Sequence, residues 1–316
     1  MSATALAAGY FADVCFGDPR RLHPVAGFGR AALCAEALVY RPTRARGMAF
    51  AGTLVPLAAG IGEVAARLAS RAPLGPEAVL AVATWAALGG RSLRTVATQL
   101  AAQVECGDLA AARRVLPALC GRDPESLTRA ELSRAALESV AENTSDAVVG
   151  PLVFAAVAGP AGVLAYRAAN TLDAMVGHRN HRYADFGWAA AKLDDALNWL
   201  PARLSAVLAA VCAPIVGGSP RGTWRVARRD GGKHPSPNAG QVEAAFAGAL
   251  GVRLGGPLSY GGTAEVRPYM GSGRTPAPSD VRRAVALSRA VSVTAALTCA
   301  LIRFILTRAT TTGHRA

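Results

Sequence analysis

Residues 147–166 read AVVGPLVFAAVAGPAGVLAY. A bilayer core of ~30 Å needs about 20 mostly apolar helical residues, and Ala147–Tyr166 is the one run in the chain that reaches this length without a charge. It carries Pro151 and Pro160, which membrane helices tolerate where neighbouring groups satisfy the freed backbone. Shorter uncharged runs recur at Met1–Ala12, Gly47–Gly62, Ala78–Gly90, Leu204–Pro220 and Ala290–Ile302. By themselves these read as tilted spans whose flanking arginines snorkel, as re-entrant segments, or as buried helices of an all-α globule. Composition favours the first reading: 52% of residues are hydrophobic against 17% charged, and the mean hydropathy is +0.26. The expected fold is mainly α, a polytopic integral membrane helical protein with polar loops forming the site. It is read as a single membrane-embedded domain over residues 1–316.

The net charge of +13 comes mostly from arginines spread through the polar connections. No long basic run and no aromatic interleaving accompany them, so nucleic acid is not an expected partner. In a membrane protein such a charge reflects the positive-inside bias and sites for anionic substrates. Arginines flank both sides of several apolar runs, so the bias defines no topology. Six cysteines (Cys15, Cys34, Cys106, Cys120, Cys212 and Cys299) lack metal-ligand or disulfide-framework spacing and read as free thiols. The first apolar stretch has no basic leader and runs into a polar motif, so it is expected to be an uncleaved helix and not a signal peptide.

Along the chain, Met1–Phe16 reads as a helix followed by a loop broken by Gly17, Pro19 and Pro24. Gly47–Arg71 and Glu77–Gly90 form two helices around a turn at Pro73–Pro76. Arg91–Leu119 is amphipathic and interrupted at Gly107 and Asp108. Ser126 or Thr128 caps the next helix, with Glu131 in its first turn. A Gly/Pro/Arg-rich segment, Arg221–Gly262, holds one short helix around Gln241–Leu250, and a last helix runs near Val281–Thr307. No segment alternates in strand fashion for long, and there is no internal repeat.

Against this apolar background the acids and amides are grouped: RAALESVAENTSDAVVGP (134–151), YRAANTLDAMVGHRNHRYADFGW (166–188) and KLDDALNWLPAR (192–203). On a helix Glu138, Glu142 and Asp146 fall at i, i+4 and i+8 and repel one another. With Asn143 they offer hard oxygen ligands of the type Mg²⁺ takes; the alternative is a solvated face bridged to Arg134 or another cation. Arg167, Asn170 and Asp173 make a second stripe, for which a structural Arg–Asp bridge is the alternative. Asp194, Asp195 and Asn198 form a third cluster, and adjacent acids must diverge, so one of the two is expected to be essential. Lys233, His234, Ser236 and Asn238 lie in GGKHPSPNAG (231–240), suited to phosphate or carboxamide contacts although it is not a Walker A sequence. Gly255, Gly256, Gly261 and Gly262 around Tyr260 read as a backbone cradle for phosphate or as a plain flexible turn. His178 and His181 lack a third partner for a zinc site.

Four motifs in this order, GDPRRLHPVAGFGR, RAALESVAENTSDAVVGPL, YRAANTLDAMVGHRNHRYADFGWAAAKLDDALNWLPARL and GGKHPSPNAGQVEAAFAGALGVRLGGPLSYGG, resemble the CbiB family, called CobD in the aerobic pathway. The resemblance runs from about Phe11 to Gly262. Ser145 and His181 depart from it, standing where a Val-like and an acidic residue are expected. The resemblance implies a membrane enzyme of cobalamin biosynthesis, an adenosylcobinamide-phosphate synthase. Such an enzyme joins adenosylcobyric acid to (R)-1-amino-2-propanol or its O-phosphate as an amide. ATP is the implied co-substrate and Mg²⁺ the implied cofactor, because a carboxylate must be activated before an amine can displace its oxygen. On this reading Glu138, Glu142, Asn143 and Asp146 hold the metal. Lys233, His234, Asp173 and Asp195 act in catalysis, while Arg167, Asn170, Asn198, Ser236, Asn238 and Gly261 contact the cofactor. The location implied is the cell membrane, multi-pass, in contact with membrane lipid. A homo-oligomer or an assembly with other late cobalamin-pathway membrane enzymes is implied as well. The rival reading is a membrane transporter using its acids as an ion path, which would place them inside the apolar runs, whereas they flank them.

Overall fold

The computed structural model describes residues 1–18, 23–178, 180–260 and 263–313. Helices in chain order are α1 (Ala3–Phe16), α2 (Pro24–Val39), α3 (Arg44–Ala69), α4 (Gly75–Ala87), α5 (Gly90–Glu105), α6 (Leu109–Val115), α7 (Arg129–Thr144), α8 (Gly150–Val176), α9 (Trp188–Leu197), α10 (Trp199–Cys212), α11 (Pro220–Asp230), α12 (Ala239–Leu250) and α13 (Pro278–Gly313). A wider π turn, Ser145–Val149, joins α7 to α8. Two strands, β1 (Leu254–Tyr260) and β2 (Thr263–Met270), pair antiparallel.

Four helical stretches among the described residues are long and apolar enough to cross a membrane: Arg44–Ala69, Arg129–Val176, Trp199–Val216 and Pro278–Ala309. Three contain one of the uncharged runs read from the sequence, and Trp199–Val216 covers most of the run Leu204–Pro220. The apolar windows of the first and last are only 22% and 28% buried, and their outward residues include Leu57, Ile61, Val64, Leu68, Leu297, Leu301 and Ile305. Apolar faces of that extent suit lipid and not water. Met1–Ala12 and Ala78–Gly90 fall in α1 and α4, which have 14 and 13 residues. At 1.5 Å per residue these are too short to cross alone.

Packing groups the chain into two compact units, each assembled from separated segments. The first comprises Met1–Gly89, Gly150–Asn198 and Ala296–Ala316, the second Gly90–Val149 and Trp199–Ala295. Composition does not change where the chain passes from one to the other, so no linker signals the division.

In the first unit α8 packs on α3, α4 and α9. A Cβ on Gly62 would lie 2.7 Å from the Pro160 carbonyl, so α3 and α8 meet backbone to backbone, the close approach that small residues allow in membranes. Phe50, Leu172, Val176 and Phe186 fill the core beside them. At Gly159 (φ 63°) α8 breaks. Pro160 has no N–H to offer the Ala156 carbonyl, and Arg303 Nη1 donates to that oxygen instead at 3.1 Å. This is the compensation a proline inside a membrane helix requires.

In the second unit α12 packs on α7, α10 and α11. Thr128, one of the two caps the sequence offers, closes α7 through a reciprocal capping box with Glu131. The hairpin was not legible. Its register slips between Leu254 and Gly256 at a bulge, and glycines and prolines interrupt the alternation that would have marked strands.

Candidate functional site

The second unit gathers its buried polar groups where α7, α12 and the hairpin meet. Arg134 and Glu138 stand one turn apart on α7. Arg134 donates to the carbonyls of Gly255 and Pro257 at 2.6 and 2.5 Å, not to the neighbouring acids. Glu138 Oε1 accepts the Gly255 N–H at 2.7 Å, and its Oε2 pairs with the buried guanidinium of Arg122. Gly255 sits at φ 82°, a conformation glycine enters freely, and the bulge turns its N–H out of the strand ladder toward Glu138. Oε1 of Glu138, expected in the metal set, is thus engaged with the hairpin and Oε2 with Arg122.

Glu142, Asn143 and Asp146 are half-buried. Asn143 Nδ2 donates back to the carbonyl and hydroxyl of Ser139 at 3.0 and 3.2 Å. Asp146 lies in the π turn, so the even i, i+4, i+8 stripe ends at Ser145. Among the described residues no three His, Cys, Asp or Glu side chains gather as a metal cage.

Next to this cluster stand His234 and Glu243, whose side chains are 5% and 2% exposed. His234 Nδ1 accepts the Ser236 N–H at 3.0 Å, which puts the proton of a neutral imidazole on Nε2. That Nε2 has no hydrogen-bond partner and lies 3.9 Å from Glu243 Oε1. Burial, reinforced by the Arg267 charge, lowers the imidazole pKa to about 4. Burial, then the charges of Glu138 and Glu142, pushes the Glu243 carboxyl well above its ordinary range. At neutral pH His234 is therefore uncharged and presents its Nε2–H as a donor, while burial disfavours the ionised form of Glu243. With the Arg122 and Arg267 guanidinium groups in the same cluster, this is an environment for an oxyanion.

Lys233 Nζ lies 2.6 Å from Asp230 Oδ1. Asp230 also accepts from the Arg229 guanidinium and the Gly271 N–H, and these partners, Arg229 first, hold it below the usual carboxylate range. Ser236 and Asn238, expected at the cofactor, have structural partners. Ser236 Oγ accepts the N–H groups of Asn238 and Ala239 at the start of α12, and Asn238 Oδ1 accepts from Arg203 at 3.2 Å. Gly261, expected there too, lies outside the described residues.

The first unit carries a separate polar network. Arg167 Nη1 donates to Asn170 Oδ1 at 3.1 Å, and Asn170 Nδ2 donates to Asp194 Oδ1 at 3.2 Å. Tyr166 donates to Asn198 Oδ1 at 2.6 Å. Asp194 is the buried member of the adjacent pair, its pKa raised by that burial. Asp195, expected at the chemistry, instead lies 3.6 Å from Lys192. Asp173 is half-buried near the end of α8, against Gly177.

A model of the family described as CobD/Cbib protein matches residues 6–288. The chain belongs to this family. Among its relatives is the cobalamin biosynthesis protein CobD of Mycobacterium tuberculosis, 54% identical over 300 residues and 95% of each chain. Proteins of the same description from Geobacter metallireducens and Chromobacterium violaceum are 45% identical over 82% and 41% identical over 95% of this chain. No solved structure matches. The CobD/CbiB family is one of cobalamin biosynthesis proteins, as the four motifs imply. Sequence reasoning missed Arg122, Glu243 and Arg267. Glu243 was legible, because it is the only charge in AGQVEAAFAGAL (239–250).

Proposed function

We propose that this chain is an adenosylcobinamide(-phosphate) synthase of the cell membrane. It would form the amide between the free carboxylate of adenosylcobyric acid and (R)-1-amino-2-propanol or its O-phosphate, at the expense of ATP. The observation that carries this reading is the buried His234–Glu243 pair beside Arg122 and Arg267, in a chain of the CobD/CbiB family. Amide formation passes through two anionic species: an acyl phosphate, made when the carboxylate oxygen attacks the γ-phosphorus and ADP leaves, and the tetrahedral adduct of the amine. Collapse of that adduct releases phosphate, which takes the surplus amine proton. The His234 Nε2–H is the donor available to either oxyanion, and its burial makes that hydrogen bond stronger than it would be in water.

Mg²⁺ binds nucleotides through one or two carboxylates together with substrate phosphates, not through an all-protein cage. Glu142 and Asp146 fit that donor set; Glu138, engaged by Arg122 and Gly255, does not. When bound, the ion would neutralise phosphate charge. We assign Lys233 to a phosphoryl oxygen. Detergent-solubilised protein incubated with adenosylcobyric acid, ATP, Mg²⁺ and either amine tests this, with product identified by mass. Absence of amide product with both amines rejects the reading.

A further inference from the structure

The face of α11 that turns away from the protein has no role in the chemistry proposed above. Thr223, Ala227 and Asp230 form its buried stripe, and α11 packs there on α12. On the opposite side Arg221, Trp224, Arg225 and Arg228 are exposed, Trp224 by 42%. At ~100° per residue these four lie within an arc of about 100°. Arg221, Arg225 and Arg228 form no ion pair among the described residues, although nearby Arg229 and Lys233 both pair with Asp230.

The position of the helix says what covers this face. Three residues separate the end of the candidate span Trp199–Val216 from Pro220. The candidate span Pro278–Ala309 starts at the same level, because Arg283 donates to the carbonyls of Val216 and Leu250 at 2.6 and 3.0 Å. Within the second unit the end of one apolar span thus meets the start of another, and α11 runs from there. We propose that α11 lies at the membrane surface and binds anionic lipid headgroups through Arg221, Arg225 and Arg228, with Trp224 at the headgroup level. The apolar side of the helix is taken by α12, so the contact is made by charge and by the indole and not by burying an apolar face in the acyl chains. Tryptophan favours that depth, and unpaired cations there attract anionic headgroups.

Each arginine near an anionic surface is worth about fivefold in affinity, and the effect fades within a Debye length. The test uses the full chain in bilayers containing brominated phosphatidylglycerol or brominated phosphatidylcholine, with Trp224 emission taken as the difference between native protein and Trp224→Phe. The expected result is quenching by both lipids, with phosphatidylglycerol favoured by about tenfold or more. That preference should vanish in the triple variant Arg221→Ala, Arg225→Ala, Arg228→Ala. It should also vanish in the native chain at about 1 M salt, which keeps the test decisive if the triple variant does not fold. Equal quenching by the two lipids in the native chain overturns the proposal. Quenching by neither overturns it too, and assigns the face to water or to a protein partner.

Discussion

Nε2 of His234 and Oε1 of Glu243 stand 3.9 Å apart in a buried cluster, too far for a hydrogen bond and too enclosed for either group to be ionised at little cost. The same burial disfavours the charged form of each, which gives the two residues opposite pH responses.

Glu243 has a folded pKa raised above the ordinary 4.5, by burial and by the charges of Glu138 and Glu142, with Arg122 and Arg267 opposing. Its contribution to stability is therefore present below pH 4.5 and lost as pH rises through the raised value. His234 has a folded pKa lowered from 6.5 to about 4, so its contribution is present above 6.5 and lost as pH falls toward 4. Glu243→Gln removes only the first of these. The melting temperature of that variant relative to native protein should rise between pH 5 and pH 8.5, measured by intrinsic fluorescence in detergent, while the acid-side decline persists. A constant difference across that range would show that Glu243 is ionised in the folded chain.

The Arg122–Glu138 pair leads to a second expectation. Removing one partner of a buried ion pair strands the other charge, which costs about 3–5 kcal/mol. Glu138→Ala also leaves the Gly255 N–H without its acceptor, a further loss of about 1–3 kcal/mol. The variant should be strongly destabilised, whereas Arg122→Met combined with Glu138→Leu should recover most of the charge term. Thermal unfolding of the three proteins checks this. A mild effect of Glu138→Ala alone would mean that Glu138 does not anchor the hairpin.

The difference between Glu138 and its neighbours also marks where the sequence stopped being readable. The apolar runs announced the long helices because burial in lipid needs only length and the absence of charge. The acid grouping announced the α7 cluster. A 3.6-residue repeat, however, gives Glu138, Glu142 and Asp146 one shared face, and nothing local in ENTSDAVV reveals that the helix widens at Ser145. Nor could spacing pair Glu138 with Gly255, since the partner arrives from 117 residues along the chain through a bulge at a glycine. His234 was read as chemical from its loop. Its companion Glu243 was passed over although a lone acid in an otherwise apolar helix is the kind of buried charge that calls for an explanation.

Glu142 and Asp146 are half-buried, so replacing them removes less structural support than replacing Glu138. Glu142→Ala and Asp146→Ala should each lose most synthase activity while extracting and melting like the native chain. If they hold Mg²⁺, the concentration of Mg²⁺ giving half-maximal rate should rise in whichever variant retains measurable turnover. Near-native rates with unchanged Mg²⁺ dependence in both would sink the metal assignment.

Lys233 is paired with Asp230 yet half exposed, 50% against 2% for its partner. An exposed ion pair of this kind contributes about 1 kcal/mol or less, and Asp230 keeps Arg229 and the Gly271 N–H when the ammonium is removed. Lys233→Ala should therefore melt within a few degrees of the native chain. An ammonium that meets a phosphoryl oxygen acts most strongly as charge develops in the transition state, so the loss should fall on kcat, by about tenfold or more, and less on KM. Lys233→Arg keeps the charge and should restore part of the rate. The lysine also follows α11 closely, which makes lipid the competing explanation for any loss. Steady-state kinetics in purely zwitterionic bilayers and in bilayers with phosphatidylglycerol separate the two. A defect of equal size in both belongs to the chemistry, and a defect seen only with the anionic lipid transfers Lys233 to the membrane contact of α11.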